Sequence, residues 1–149
     1  MTKVFLDTNV ILDFFLKRKS DKSDHYRVAL NLINYCISAN LLLYVSILSL
    51  KDVYYISAKI TKGQNEIVRQ NHIKQKINDF LRLINLTITT DKAFYNAMNS
   101  DFKDFEDALQ YFTARENDIN FMITGNKKDF ILSEIPVYSP KEFLNLPIV

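Results

Sequence analysis

Val4-Phe5-Leu6 and the run from Leu41 to Val45 are short and apolar at every position, with no polar residue in alternation. A strand with one wet face would alternate, so strands of this kind must be covered on both sides. Helical spacing fills the intervals between such runs. Val10, Ile11, Leu12, Phe14 and Phe15 follow the first strand; Tyr26, Ala29, Leu30, Ile33 and Ile37 mark a second helix with Asn40 as its C′ residue. Ser46 and Ser49 open a third helix carrying Leu50, Val53, Tyr54 and Ser57, which Thr61-Lys62-Gly63-Gln64 breaks. Ile73, Ile77, Phe80, Leu81 and Ile84 define a fourth.

Leu86 to Thr90 reads as strand three, and Asp91 as the cap of a short helix through Phe94 to Met98. A helix from Asp104 to Asn117 precedes strand four, Ile119 to Thr124. Ile135 to Tyr138 is strand five, placed at an edge by Pro136. Ser139-Pro140 starts a terminal helix with proline at its first position. Alternating strands and helices predict an α/β fold in three layers, a mostly parallel five-stranded sheet between helices. No linker or repeat interrupts residues 1–149, which are expected to form a single domain.

Scarcity narrows the chemistry. Two glycines, Gly63 and Gly125, cannot build a phosphate-binding loop or a dinucleotide fingerprint. His25 and His72 lack zinc-site spacing, and Cys36 sits in an apolar helical pattern as a core residue. No apolar run reaches the ~20 residues of a bilayer span, and no signal peptide precedes strand one, so a cytoplasmic protein without membrane association is expected. With 19 basic and 17 acidic side chains, the net charge of +2 names no partner. Any chemistry must rest mainly on carboxylates.

The acids are placed informatively. Asp7 follows strand one directly, Asp52 lies early in the helix after strand two, and Asp129 follows strand four. In a parallel sheet the strand C-termini share one edge, where ligands bind. Asp104 and Asp107 open the helix before strand four. At ~100° per residue they share one flank of a stripe formed by Phe105, Ala108, Leu109 and Phe112. Glu106 projects from the other flank and is expected to stay out of any site. Each acid also has a plain structural role: Asp7 and Asp104 as helix caps, Asp52 as a first-turn charge beside Ser49, Asp129 as a turn residue. Clustered carboxylates repel, and an oxygen-only set without His or Cys selects Mg²⁺ or Mn²⁺. Lys17-Arg18-Lys19 and Lys127-Lys128 are candidate phosphate grips, though charged loops are commonly only solvated.

Four stretches together resemble the PIN domain nucleases, the fold of VapC-type toxins. They are Phe5 to Asp13, Val45 to Val53, Asp104 to Gln110 with Ala114 a turn beyond, and Ile123 to Phe130. The resemblance covers nearly the whole chain. It implies strand order 3-2-1-4-5, with Asp7 facing the Thr124-to-Asn126 stretch across the crevice between strands one and four. It also implies a metal site of Asp7, Asp52 and Asp107 completed by Asp104 or Asp129, with Thr8 and Thr124 positioning water or a neighbouring carboxylate. The implied activity is Mg²⁺- or Mn²⁺-dependent endonucleolytic hydrolysis of RNA by the toxin of a type II toxin-antitoxin pair, as a homodimer restrained by a small antitoxin protein. Three departures stand out. Asp52 replaces the family's usual Glu, Gly125 replaces a frequent Arg, and the middle helices exceed a minimal domain. Two rival functions remain: a degenerate PIN-like module that binds RNA or protein without catalysis, and an aspartyl-phosphate phosphotransferase. The latter usually carries an acid where this chain has Asn9.

Overall fold

The computed structural model describes residues 1–147 apart from Lys62 and Gln64. Its strands are β1 (Lys3–Leu6), β2 (Leu42–Ser46), β3 (Asn85–Thr87), β4 (Phe121–Ile123) and β5 (Val137–Tyr138). Its helices are α1 (Thr8–Phe15), α2 (His25–Ser38), α3 (Ile47–Ile60), α4 (Glu66–Leu81), α5 (Asp91–Met98), α6 (Phe105–Glu116) and α7 (Pro140–Leu144), with a 3₁₀ turn at Lys127–Phe130. The sheet order is β3-β2-β1-β4-β5, and every pairing is parallel.

Period-two alternation in β1 divides the core. Val4 and Leu6 face one side, packing with Val10, Ile11 and Phe15 of α1, Leu32 and Cys36 of α2, Val53 of α3, Phe80 of α4 and Phe143 of α7. Phe5 faces the other side with Met122, Tyr111, Ala114, Phe130 and Ile135. Burial on both faces explains the unbroken apolar run that the strand required.

Caps set the element ends. Ser46 caps α3 by accepting from Leu48 N at 3.2 Å. Asn40 takes φ 57° just beyond the C-cap Ala39, as its C′ position requires. Ser139 and Glu142 close a capping box around Pro140. The α3–α4 break falls where expected: Thr61 is the C-cap of α3 and Gly63 takes φ 98°, while Lys62 and Gln64 lie outside the described residues.

Four local expectations are corrected. Thr90, not Asp91, caps α5, accepting from Ala93 N at 3.1 Å. Strand three starts one residue earlier than expected, at Asn85, and ends at Thr87, because Ile88, Thr89 and Thr90 leave the ladder; Thr89 Oγ1 bonds Thr113 Oγ1 at 2.9 Å. Ile84 lies beyond the end of α4 but still packs against the core. The fourth concerns α6. Its buried residues are Ala108, Gln110, Tyr111, Thr113 and Ala114, whereas Phe105 is exposed and rests edge-on against Phe94 of α5. The helix is rotated from the expected stripe because α5 and Phe102 offer Phe105 and Phe112 aromatic partners away from the sheet.

Candidate active site

The sheet reverses direction of growth between β1 and β4, and a crevice of about 480 Å³ opens at that switch point. Asp7, Thr8, Asn9, Ser49, Asp52, Glu106, Asp107, Gln110 and Asn126 line it with four apolar residues. Asp7 is placed by the sheet itself: its N–H donates to Ile123 O at 2.9 Å, so the ladder positions the carboxylate before α1 begins.

Four donors then fix that side chain. Oδ1 accepts from Thr8 N at 2.8 Å and Gln110 Nε2 at 3.2 Å; Oδ2 accepts from Thr124 Oγ1 at 2.8 Å and Asn9 Nδ2 at 3.2 Å. Asp7 is thus both the N-cap of α1 and a crevice residue, with 5% exposure. Thr124 also accepts from Asn126 N at 3.1 Å, and Asn9 Oδ1 accepts from Gly125 N at 3.0 Å, which ties the loop after β4 to α1. A Cβ on Gly125 would meet Asn9 Oδ1 at 3.4 Å, so the packing there is close but does not by itself demand glycine.

The opposite wall carries like charge. Asp107 points into the crevice from the first turn of α6, and among the described residues no donor reaches its carboxylate. Burial, followed by the charges of Asp7, Asp104, Asp129 and Glu106, pushes its carboxyl up to about 7. Asp52 pairs with Lys51 at 3.4 Å, and Ser49 turns to Thr8 and Gln110 rather than to Asp52.

Asp104 and Asp129 do not line this crevice. They line a neighbouring pocket of about 580 Å³ with Phe102, Lys103, Lys128, Ile131 and Leu132, near enough for both to act on Asp107. Asp104 also caps α6, accepting from Asp107 N at 3.0 Å. Glu106, expected to point away, lines the crevice, because the rotation of α6 carries it there. Of the loop cations, Arg18 pairs with Asp13 at 3.9 Å, Lys19 with Asp24 at 3.6 Å and Lys127 with Glu142 at 2.8 Å.

Asn9, Ser49 and Gln110 were not singled out as site residues from the sequence. Gln110 carried a faint signal, a polar residue three positions beyond Asp107 in a helix whose neighbouring positions are apolar. Ser49 carried none that separates it from an ordinary helix-start serine.

The donor chemistry suits a hard divalent cation. Four acids and no Lys, Arg or His line the crevice among the described residues, and Asp107 is short of counter-charge. Yet no group of three or more Asp, Glu, His or Cys among those residues is gathered closely enough to cage an ion as it stands. Side-chain rotation of Asp52, Glu106 or Asp107 would have to bring them together.

A parallel α/β/α sheet with an acid-lined crevice at its switch point defines a class, and comparison with known proteins identifies it. The sequence model of the PIN domain family matches residues 3–128, so the chain belongs to the PIN domain family. It is VapC-like within that family: Ribonuclease VapC1 of Aquifex aeolicus is 30% identical over 143 residues, covering 95% of this chain and 92% of that protein. Two solved structures share the fold. A toxin-antitoxin complex from Klebsiella pneumoniae aligns with TM-score 0.63 and 21% identity over 92% of this chain and 97% of its own. VapBC2 from Rickettsia felis, bound to a DNA fragment from its promoter, aligns with TM-score 0.65 and 16% identity over 93% and 98%.

Proposed function

We infer that this chain is a single-domain, Mg²⁺- or Mn²⁺-dependent endoribonuclease and the toxin of a toxin-antitoxin pair. The observation that carries the reading is the crevice itself. Asp7 is immobilised on one wall and Asp107, short of counter-charge, stands on the other, with Asp52 of α3 lining the same crevice. A divalent ion held by Asp7, Asp52 and Asp107 would neutralise this charge and supply Lewis acidity toward a phosphodiester. Asp104 and Asp129 add negative potential from the adjoining pocket. Thr124 and Asn9 hold the Asp7 carboxylate in place, and Thr8 offers a hydroxyl to whatever enters.

The similarity to Ribonuclease VapC1 supports RNA as substrate, and the fold shared with toxin-antitoxin complexes supports an antitoxin partner; the homodimer is carried over from the family resemblance alone. No helix among the described residues is long and apolar enough to cross a membrane, which is compatible with work on cytoplasmic RNA. The spread of the acids favours one rival, an RNA-binding module without catalysis. The phosphotransferase reading is disfavoured, because Asn9 stands where such enzymes usually carry a second acid, and its amide donates to Asp7 Oδ2 at 3.2 Å.

The test is cleavage of single-stranded RNA by the purified chain with Mn²⁺, with excess chelator, and in Asp7→Asn and Asp107→Asn. Cleavage should require the ion and fall by roughly 10³-fold, about 4 kcal/mol, in each variant. Binding of RNA without cleavage under any metal condition would establish the non-catalytic module instead.

A further inference from the structure

Gln110 is buried at 8% exposure on α6, one turn beyond Asp107. Its Nε2 lies 2.9 Å from Ser49 Oγ, 3.2 Å from Thr8 Oγ1 and 3.2 Å from Asp7 Oδ1. The two hydroxyl oxygens are themselves 2.7 Å apart. An amide nitrogen only donates, so none of these neighbours can donate to it; its two hydrogens serve Ser49 Oγ, the nearest, and Thr8 Oγ1 and Asp7 Oδ1 between them. Asp7 fixes which way the amide lies: turned over, its carbonyl oxygen would stand 3.2 Å from a carboxylate oxygen.

That orientation sets the direction of the hydroxyl pair. Ser49 is 1% exposed, and among the described residues its hydroxyl meets only Gln110 and Thr8. If Thr8 donated to Ser49, the Ser49 hydrogen would be left buried without an acceptor, a costly arrangement. If Ser49 donates to Thr8, every buried group is satisfied. Thr8 Oγ1 then receives hydrogens, and its own hydrogen is turned toward the crevice that it lines.

We propose that Gln110 is a positioning residue that acts through Ser49 to make Thr8 a hydrogen-bond donor facing the crevice, aimed at a phosphoryl oxygen of the bound RNA backbone. The role rests on the nuclease reading. It differs from the acids' role: Gln110 and Ser49 touch no substrate, and they decide only which way the Thr8 hydrogen points. Among the described residues no other side chain bonds either hydroxyl, and the nearby donors Asn9 Nδ2 and Thr124 Oγ1 are directed to Asp7.

The experiment is a cycle of Gln110→Met, Ser49→Ala and Thr8→Val under saturating Mn²⁺, with circular dichroism as the folding check. Each single change should lower kcat about tenfold or more and leave KM within about threefold. Thr8→Val made in the Gln110→Met background should cost less than about twofold further, since the hydrogen it removes is already misdirected. Losses that multiply, or wild-type kcat in folded Gln110→Met and Ser49→Ala, would overturn the proposal. If Gln110→Met does not fold, Ser49→Ala with Thr8→Val closes the same cycle. A second readout needs neither metal nor RNA. In the metal-free protein the Gln110 side-chain amide hydrogens should exchange slowly and shift on Ser49→Ala; fast-exchanging signals at solvent positions would overturn the proposal. A wild-type protein inert toward RNA would sink the nuclease reading, while the amide signals would still decide the orientation.

Discussion

The two walls of the crevice are built from the same residue type in opposite ways. On the β1–α1 wall, Asp7 has four donors and almost no freedom. On the α6 wall, Asp107 has no donor among the described residues and several acids nearby. The first wall is paid for by folding, since its carboxylate replaces water with backbone, amide and hydroxyl groups. The second stores unrelieved repulsion that a cation or a proton would release. One wall is preorganised and the other is poised.

Stability measurements in metal-free buffer can break that contrast. Asp7→Ala has the largest expected effect: it strands four donors and removes a helix cap, destabilising the fold by about 3 kcal/mol or more in urea unfolding. Thr124→Val, which deletes one of those donors at a fully buried position, should cost about 1–2 kcal/mol. Effects below a few tenths of a kcal/mol for both would mean that the Asp7 wall is not held as described.

Asp107→Asn should go the other way. Burial and the neighbouring acids push the Asp107 carboxyl up to about 7 in the fold against the usual 3.8, so stability falls as pH rises from about 4 to 7, where the unfolded chain releases a proton that the fold keeps. Because the group is partly solvated, the gain from removing the charge at pH 7 is discounted to about 1 kcal/mol, a Tm rise of about 3 °C. Below pH 4 both states are protonated and the gain should vanish. A destabilised Asp107→Asn at pH 7 would make the two walls alike. The smallest effect expected is on Asp104→Ala, about 1 kcal/mol or less through loss of the α6 cap.

The sequence was most legible where burial dictates residue type. Unbroken apolar runs at Val4–Leu6 and Leu41–Val45 required a sheet covered on both faces, and serine, proline and asparagine at Ser46, Pro140 and Asn40 marked helix ends through local chemistry. Strand order came with the family resemblance, since nothing local says where a crossover lands. The rotation of α6 was not legible. Phe105 and Phe112 look like core residues by spacing, but aromatic partners outside the sheet claim them, and with the rotation Glu106 enters the crevice. Thr124, expected to position a carboxylate, does donate to Asp7, but the part of Gln110 is hidden in the sequence for a related reason. Gln110 and Ser49 are unremarkable until elements far apart in sequence bring them within 2.9 Å.

The proposed cation site needs both walls, the poised one for its charge and the fixed one for its position. Mn²⁺ titration at pH 7, followed by the loss of the free-ion paramagnetic resonance signal, tests it most directly. Binding by the wild-type protein should be saturable and should weaken by at least about tenfold in both Asp7→Asn and Asp107→Asn, with the folds intact. Equal binding by all three proteins, or none by the wild type, would contradict it.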